Sequence, residues 1–260
     1  LVPPSKKSQK EKQYDTLQFF TSSPTRYHIL AALEQCARNI NELEKAVDSH
    51  RTTLRRNIRK LVKRGWVDED TAANQYRITP AGSRLKRLLD LVFDELRKVR
   101  QIKSVFSSLP KDIGLTPEEI ENNRISVSSQ RDPFSALNTL INLIMNSDMI
   151  KIYTPSLNPQ LLSTLINRES LEELELISTK SAFRTVEQSV INSLKEPEKH
   201  RVVTATKPPM YGVCLLSDNA SLITYNEKMH MSSIVVSDGT NQLFDWVNQR
   251  YDSIKMGSQS

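Results

Sequence analysis

The sequence predicts an α+β fold in two parts, and three observations carry that prediction. Apolar residues recur at helical spacing through the first hundred positions, and from Arg124 onward short strand-like runs alternate with helical stretches. Charge divides with the pattern. Of 36 Lys and Arg and 30 Asp and Glu, residues 1–105 hold 22 and 12, a balance of +10, leaving 14 and 18, a balance of −4, in the rest. A length of 260 residues, at roughly 100–200 residues per domain, suits two domains. We place these at 14–106 and 124–256. With 38% apolar residues and only 6 glycines, the chain reads as packed and globular rather than fibrous or disordered.

Residues 1–13 (LVPPSKKSQKEKQ) form a polar, basic, Pro-containing arm. A short first helix follows at Tyr14–Thr21. Ser22-Ser23-Pro24 then supplies a cap and a first-turn proline, and Tyr27, Ile29, Leu30 and Leu33 give an inward stripe up to Cys36. Ile40, Leu43 and Val47 mark the next helix, Asp48-Ser49-His50 the turn, and Arg51–Arg64 a third helix that stops at Gly65. Trp66-Val67 reads as a strand, Asp68–Asn74 as a polar turn whose tip carries Asp68, Glu69 and Asp70, and Gln75–Ile78 as the return strand. Thr79-Pro80 caps a long helix reaching about Phe106. This is the order of a winged helix-turn-helix. Ser107–Asn123 reads as a linker. The C-terminal α/β sensor-type domain then runs through strands at Ile125–Val127, Met149–Tyr153, Leu174–Ile177, Arg201–Thr204, Gly212–Leu216, Ser221–Tyr225 and Ser233–Val236. Its helices are placed at Pro133–Met145, Pro159–Ile166, Ala182–Leu194 and Asn241–Asp252.

The third helix carries the chemistry. In RTTLRRNIRKLVKR seven of 14 residues are Lys or Arg and none is acidic, while Leu54, Ile58, Leu61 and Val62 define one buried face. The N-terminal part of such a helix meets base edges in the major groove, which nominates Arg51, Thr52, Arg55 and Arg56 as base readers. Lys60, Lys63 and Arg64, a turn or more further along, are the expected phosphate contacts, with Arg59 a further DNA-facing candidate on the same helix and Arg77 the candidate on the wing. Double-stranded DNA is therefore the expected partner. Sequence-specific RNA readers present stacking aromatics on a sheet, whereas Trp66 and Tyr76 sit in wing strands.

From Arg26-Tyr27-His28-Ile29-Leu30 through Ser49–Leu61 and Arg64-Gly65-Trp66-Val67 to Tyr76-Arg77-Ile78-Thr79-Pro80-Ala81-Gly82, the chain resembles archaeal winged-helix transcriptional regulators. Asp132-Pro133, Tyr153-Thr154-Pro155, Tyr211–Asp218 and Trp246–Tyr251 resemble the middle domain of archaeal methanogenesis-type regulators. The resemblance implies sequence-specific regulation of transcription and a second domain with a small-molecule or interaction role. Two features depart from it. The acids expected at the wing tip would repel phosphate, and a net charge of +6 is unlike the acidic proteins of halophilic members.

Leu85, Leu89, Val92, Leu96 and Val99 step by 4, 3, 4 and 3, a heptad seam that predicts a homodimer. In the second domain Tyr153, Arg184, Tyr211 and Tyr225 are candidate ligand contacts near strand ends. No cofactor, metal site or catalytic set is expected. His28, His50, His200 and His230 are scattered, and Cys36 and Cys214 read as buried, reduced thiols of a cytoplasmic protein. Two alternatives stand. One is an adaptor whose winged helix binds protein. The other is a phospholipase-D-like enzyme, against which neither His200-Arg201-Val202 nor His230-Met231-Ser232 supplies the His-x-Lys pair active members need. No run approaches the ~20 apolar residues of a membrane span.

Overall fold

A computed structural model describes residues 9–168, 171–195, 200–206, 208–239 and 241–259. It divides into two units, the first ending at Glu95 and the second starting at Leu96. The division falls inside one helix.

The first unit contains α1 (Gln9–Thr21), α2 (Pro24–Gln35), α3 (Ile40–Val47), α4 (Arg51–Lys63), β1 (Val67–Asp70), β2 (Gln75–Ile78) and the start of α5 (Pro80–Ser107). Residues 1–8 of the expected arm lie outside the described residues. α1 begins five residues before Tyr14, because Gln, Lys and Glu are good helix formers that prolong the helix into solvent without any apolar pattern to announce it. α3 owes its start to a capping box. Asn39 Oδ1 accepts from the amides of Asn41 and Glu42 at 3.0 Å each, and Glu42 accepts from the Asn39 amide at 2.8 Å. α4 ends where Gly65 takes a φ of +71°. Ile29, Leu30, Leu33, Leu43, Leu54, Ile58 and Leu61 close around Phe20, Val67 and Leu89 as one core. Thr79 fastens the wing to α5. Its hydroxyl donates to the Gly65 carbonyl at 2.8 Å and accepts from the Gly82 amide at 3.0 Å. A Cβ on Gly82 would lie 2.1 Å from the Trp66 carbonyl oxygen, so only glycine lets this first turn approach so closely.

The acids expected at the wing tip belong instead to β1. Register pairs Val67 with Ile78, Asp68 with Arg77, Glu69 with Tyr76 and Asp70 with Gln75, and the tip is Thr71–Asn74. Cross-strand partners override the weak strand preference of acids. Tyr76 Oη donates to Glu69 at 3.0 Å, Asp70 accepts from the Ala73 amide at 3.0 Å, and Arg77 lies 3.9 Å from Asp70.

The second unit is built on an eight-stranded mixed sheet of β3 (Arg124–Val127), β4 (Met149–Thr154), β5 (Glu173–Thr179), β6 (His200–Ala205), β7 (Tyr211–Leu216), β8 (Asn219–Tyr225), β9 (Met231–Asp238) and β10 (Ser258–Gln259), in the order β10-β6-β5-β4-β7-β8-β9-β3. β4, β5 and β6 are parallel, and the other pairings are antiparallel. Both faces are covered, which is why β7 is buried throughout. α7 (Ser135–Met145), α8 (Pro159–Ile166), α9 (Lys180–Arg184) and α10 (Gln188–Lys195) pack on the face that shows Ile152, Leu176, Cys214 and Ile223. α11 (Gln242–Met256), α6 (Pro117–Glu121) and the end of α5 cover Tyr153, Ile177, Val213 and Leu222.

Three expectations change here. The stretch read as a linker is packed, with Leu109, Ile113, Leu115 and Ile120 buried and the Ile113 carbonyl accepting from Trp246 and Arg250. Its apolar spacing follows neither a helical nor a strand period. The single helix expected at Ala182–Leu194 is two. Thr179 caps the first, and the Thr185 hydroxyl turns back to the Ala182 carbonyl at 2.7 Å, competing with the backbone ladder. Cys36 is exposed beyond the end of the α2 stripe, while Cys214 is buried in the sheet, where burial pushes its thiol pKa up.

Candidate nucleic-acid interface

α4 separates its residues cleanly. Leu54, Asn57, Ile58 and Leu61 are buried, while Arg51, Thr52, Arg55, Arg56, Arg59, Lys60 and Lys63 are all exposed. The nominated side chains therefore share one open helix. They divide between its two flanks. Arg55 and Arg59 sit near enough to the wing to act on the Tyr76 phenol, which burial and its bond to Glu69 raise and these two cations lower. Arg56 sits on the opposite flank, where it and Arg64 act on the Arg26 guanidinium. Arg77 is exposed on β2 and bound only at 3.9 Å to Asp70, so it can turn to a phosphate at little cost.

One pair that supports this helix was missed from sequence. Arg26 on α2 is 6% exposed. Its Nε donates to Asn57 Oδ1 at 2.9 Å, and its Nη1 donates to the Phe19 carbonyl and to Ser22 Oγ. The guanidinium also lies 4.0 Å above the Phe19 ring. Burial, the largest cause, and the fields of Arg56 and Arg64 lower its pKa. The ring of Phe19 is sandwiched, with Arg64 4.1 Å from its centroid and Phe20 and Trp66 each in edge contact with it, while these two rings are tilted against one another. This cluster ties α1 and α2 to the C-terminal end of α4. An Asn in an otherwise apolar stripe was the only trace of it in the sequence.

The proposed dimer seam divides along α5. Leu89 is buried in the core of the first unit and Leu85 packs against that core. Val92, Leu96 and Val99 are exposed, and so are Leu88 and Leu91 beside them. The free apolar face therefore runs through residues 88, 91, 92, 96 and 99, all on one side of the helix.

The four candidate ligand contacts of the second unit do not converge. Tyr153 and Tyr211 are buried on the α11 face, with the Tyr153 hydroxyl donating to the Pro209 carbonyl at 2.6 Å. Tyr225 is buried on the other face, 2.7 Å from Thr154 Oγ1, and Gly212 leaves the space its hydroxyl occupies. Burial raises all three phenol pKa values. Arg184 is exposed on α9. His200, on β6, and His230, after β8, are separated by β5, β4 and β7 in the sheet. Among the described residues no group of His, Cys, Asp and Glu is arranged to hold a metal ion, and no helix is long and apolar enough to cross a membrane.

Residues 14–101 match the HVO_A0261 N-terminal domain, and residues 133–256 match the middle domain of the methanogenesis regulatory protein FilR1. No curated protein matches the chain. Among solved structures the chain is similar to TrmBL2, an archaeal chromatin protein, at 13% identity and a TM-score of 0.42 over 97% of this chain and 100% of that one. It is similar to NucT from Helicobacter pylori at 17% identity and a TM-score of 0.42, covering 52% of this chain and 96% of that one. Similarity extends to the winged helix-turn-helix domain of Mb0332 from Mycobacterium bovis, at 24% identity and a TM-score of 0.29 over 36% and 94% of the two chains. The chain thus joins a region similar to the HVO_A0261 N-terminal domain, which runs from the first unit into the start of the second, to a region similar to the FilR1 middle domain, which lies within the second unit.

Proposed function

We propose that the chain is a sequence-specific, dimeric, signal-responsive regulator of transcription that acts on double-stranded DNA in the cytoplasm. The observation that carries this reading is α4. A helix seated by Leu54, Ile58 and Leu61 holds Arg51, Thr52, Arg55, Arg56, Arg59, Lys60 and Lys63 in solvent, with no acidic side chain along its length. A helix so held and so charged fits the major groove, its first turns toward base edges and its last toward phosphates. Arg51, Thr52, Arg55 and Arg56 read bases in this account, and Arg59, Lys60, Lys63 and Arg77 fix the register. The exposed apolar face of α5 supports pairing of two chains, which suits half-sites about one DNA turn apart. The FilR1-type middle domain supports a sensing role for the second unit.

The reading is tested by mapping bound genomic DNA, then comparing the recovered site with random duplex. Arg56→Ala should weaken binding to the site by about 1–3 kcal/mol, the worth of one good bidentate contact, and leave random duplex much less affected. Equal loss on both would remove Arg56 from base reading.

A further inference from the structure

The second unit holds a cavity of about 490 Å³ that, of the four candidate ligand contacts, takes in only Tyr225. It opens where the ends of β4 and β8 meet the first turns of α7 and α8 and the turn leading into β9. Leu137, Leu157, Leu161 and Met231 form its apolar interior, with Phe134 and Met229 at the rim. Its polar lining is limited to Ser156, Asn158, the Tyr225 side chain and His230. Asn158 Oδ1 accepts from the amides of Gln160 and Leu161 at 2.8 and 3.4 Å, so what it has left to offer is its Nδ2 donor.

The lining dictates the ligand class. The volume falls in the range of small-molecule sites. Among the described residues no Lys, Arg, Asp or Glu lines the cavity, so an ionised ligand would enter without a counter-charge and lose its hydration uncompensated. Nucleotides and sugar phosphates do not fit that lining. A neutral, mainly apolar molecule of one or two rings, with one hydrogen-bonding end for Asn158 and His230, does.

The cavity also has a route outward. Met229 has a φ of +61°, a conformation side chains rarely adopt. It is held there by its backbone N–H, which donates to the Asn226 carbonyl at 2.8 Å, while Asn226 Oδ1 accepts from the backbone amides of Lys228 and His230 at 3.0 Å each. Met229 and Tyr225 line a second depression of about 510 Å³ whose other walls are Met210, Asn226, Glu227 and Ser107–Pro110, at the end of α5. Met229 is therefore a shared wall, and an unbranched, adaptable side chain is suited to repacking. Met229 and Tyr225 thus stand between the first cavity and residues 107–110 at the end of α5.

We propose that this cavity is the regulator's effector site and that it binds a neutral, mainly apolar small molecule. Its role as an effector site rests on the regulatory reading above; the cavity and its ligand class do not. The probe is N-phenylnaphthylamine, a neutral fluorophore whose emission rises in apolar surroundings, titrated into the full chain. Binding should saturate at one dye per chain. Leu137→Trp, which fills the cavity, should weaken it by at least about tenfold. Phe134→Ala removes a rim wall that is 57% exposed, so folding tolerates the change, and it should weaken binding by about threefold. Met256→Ala, at a side chain 87% exposed and outside the cavity, should change nothing. Unsaturable binding, or equal affinity in folded Leu137→Trp and Phe134→Ala, overturns the site. In a second arm, dye should shift affinity for a labelled duplex of about thirty base pairs, because a ligand moves an equilibrium only by binding its two states unequally. Saturation without any shift overturns the effector role. Saturation in a chain that retains no duplex at low salt upholds the cavity and removes the regulatory reading instead.

Discussion

Arg26 is a cation almost wholly out of water, and its partners decide whether that is tolerable. A buried charge persists only when its donors are met, and here they are met by Asn57, Ser22, the Phe19 carbonyl and the face of the Phe19 ring. Asn57→Ala takes away the acceptor of Nε and leaves a buried donor unmet. Unfolding should become easier by about 1–3 kcal/mol, read as a lower urea midpoint at unchanged slope. An unchanged midpoint would mean that Asn57 is incidental. The same pair shows what a one-dimensional pattern conceals. Leu54, Ile58 and Leu61 were legible as the inward side of α4 because apolar residues at helical spacing have one explanation. Arg26 was not, because an arginine in an amphipathic helix looks like surface until a residue 31 positions away covers it.

At the scale of elements, α5 is held to α2 by a small polar network. Lys86 Nζ lies 2.7 Å from Glu34 and 2.8 Å from Asp90, and Tyr27 Oη donates to Asp90 at 2.6 Å. Burial opposes the Asp90 charge, but Lys86 and Tyr27 outweigh it and hold the carboxyl pKa below its ordinary value of 3.8. A depressed folded pKa means stability that is present above the unfolded value and lost as pH falls through the folded one. Melting of the first unit should therefore drop on acidification below that ordinary value, and Asp90→Asn should flatten the drop. A profile unchanged by Asp90→Asn would contradict this role.

Further along α5, Leu91 and Leu96 are 62% and 51% exposed, so acids there cost the monomer little. Leu91→Glu with Leu96→Glu should convert a dimer to monomers in sedimentation equilibrium, with helical content retained. A parent chain already monomeric at high concentration would remove the seam. The heptad spacing was visible in the sequence. Its division was not, because which leucines are taken up by the chain's own core depends on α2 and α4, which no local pattern of α5 records.

For the whole molecule, the charge asymmetry, the element order and the alternation of strands and helices after Arg124 were all legible. Each is a composition or period that survives without tertiary contacts. The packing of residues 107–123, the pairing of β10 with β6 and the break between α9 and α10 were not. They depend on partners far away in sequence or on one hydroxyl competing for a carbonyl. Strand pairing also placed Asp68, Glu69 and Asp70 in β1, away from the wing tip. The wing tip is then neutral, and in the proposed reading the phosphate contacts fall to α4 and Arg77.

That assignment has a direct numerical consequence. Each phosphate neutralised contributes about −0.9 to the slope of log affinity against log salt. Arg59, Lys60, Lys63 and Arg77 from two chains predict a slope of about −7 on random duplex, falling to about −4 when Lys60→Gln and Lys63→Gln are combined. A slope near zero, or one that the paired substitution leaves unchanged, would mean that α4 does not lie along a nucleic-acid backbone.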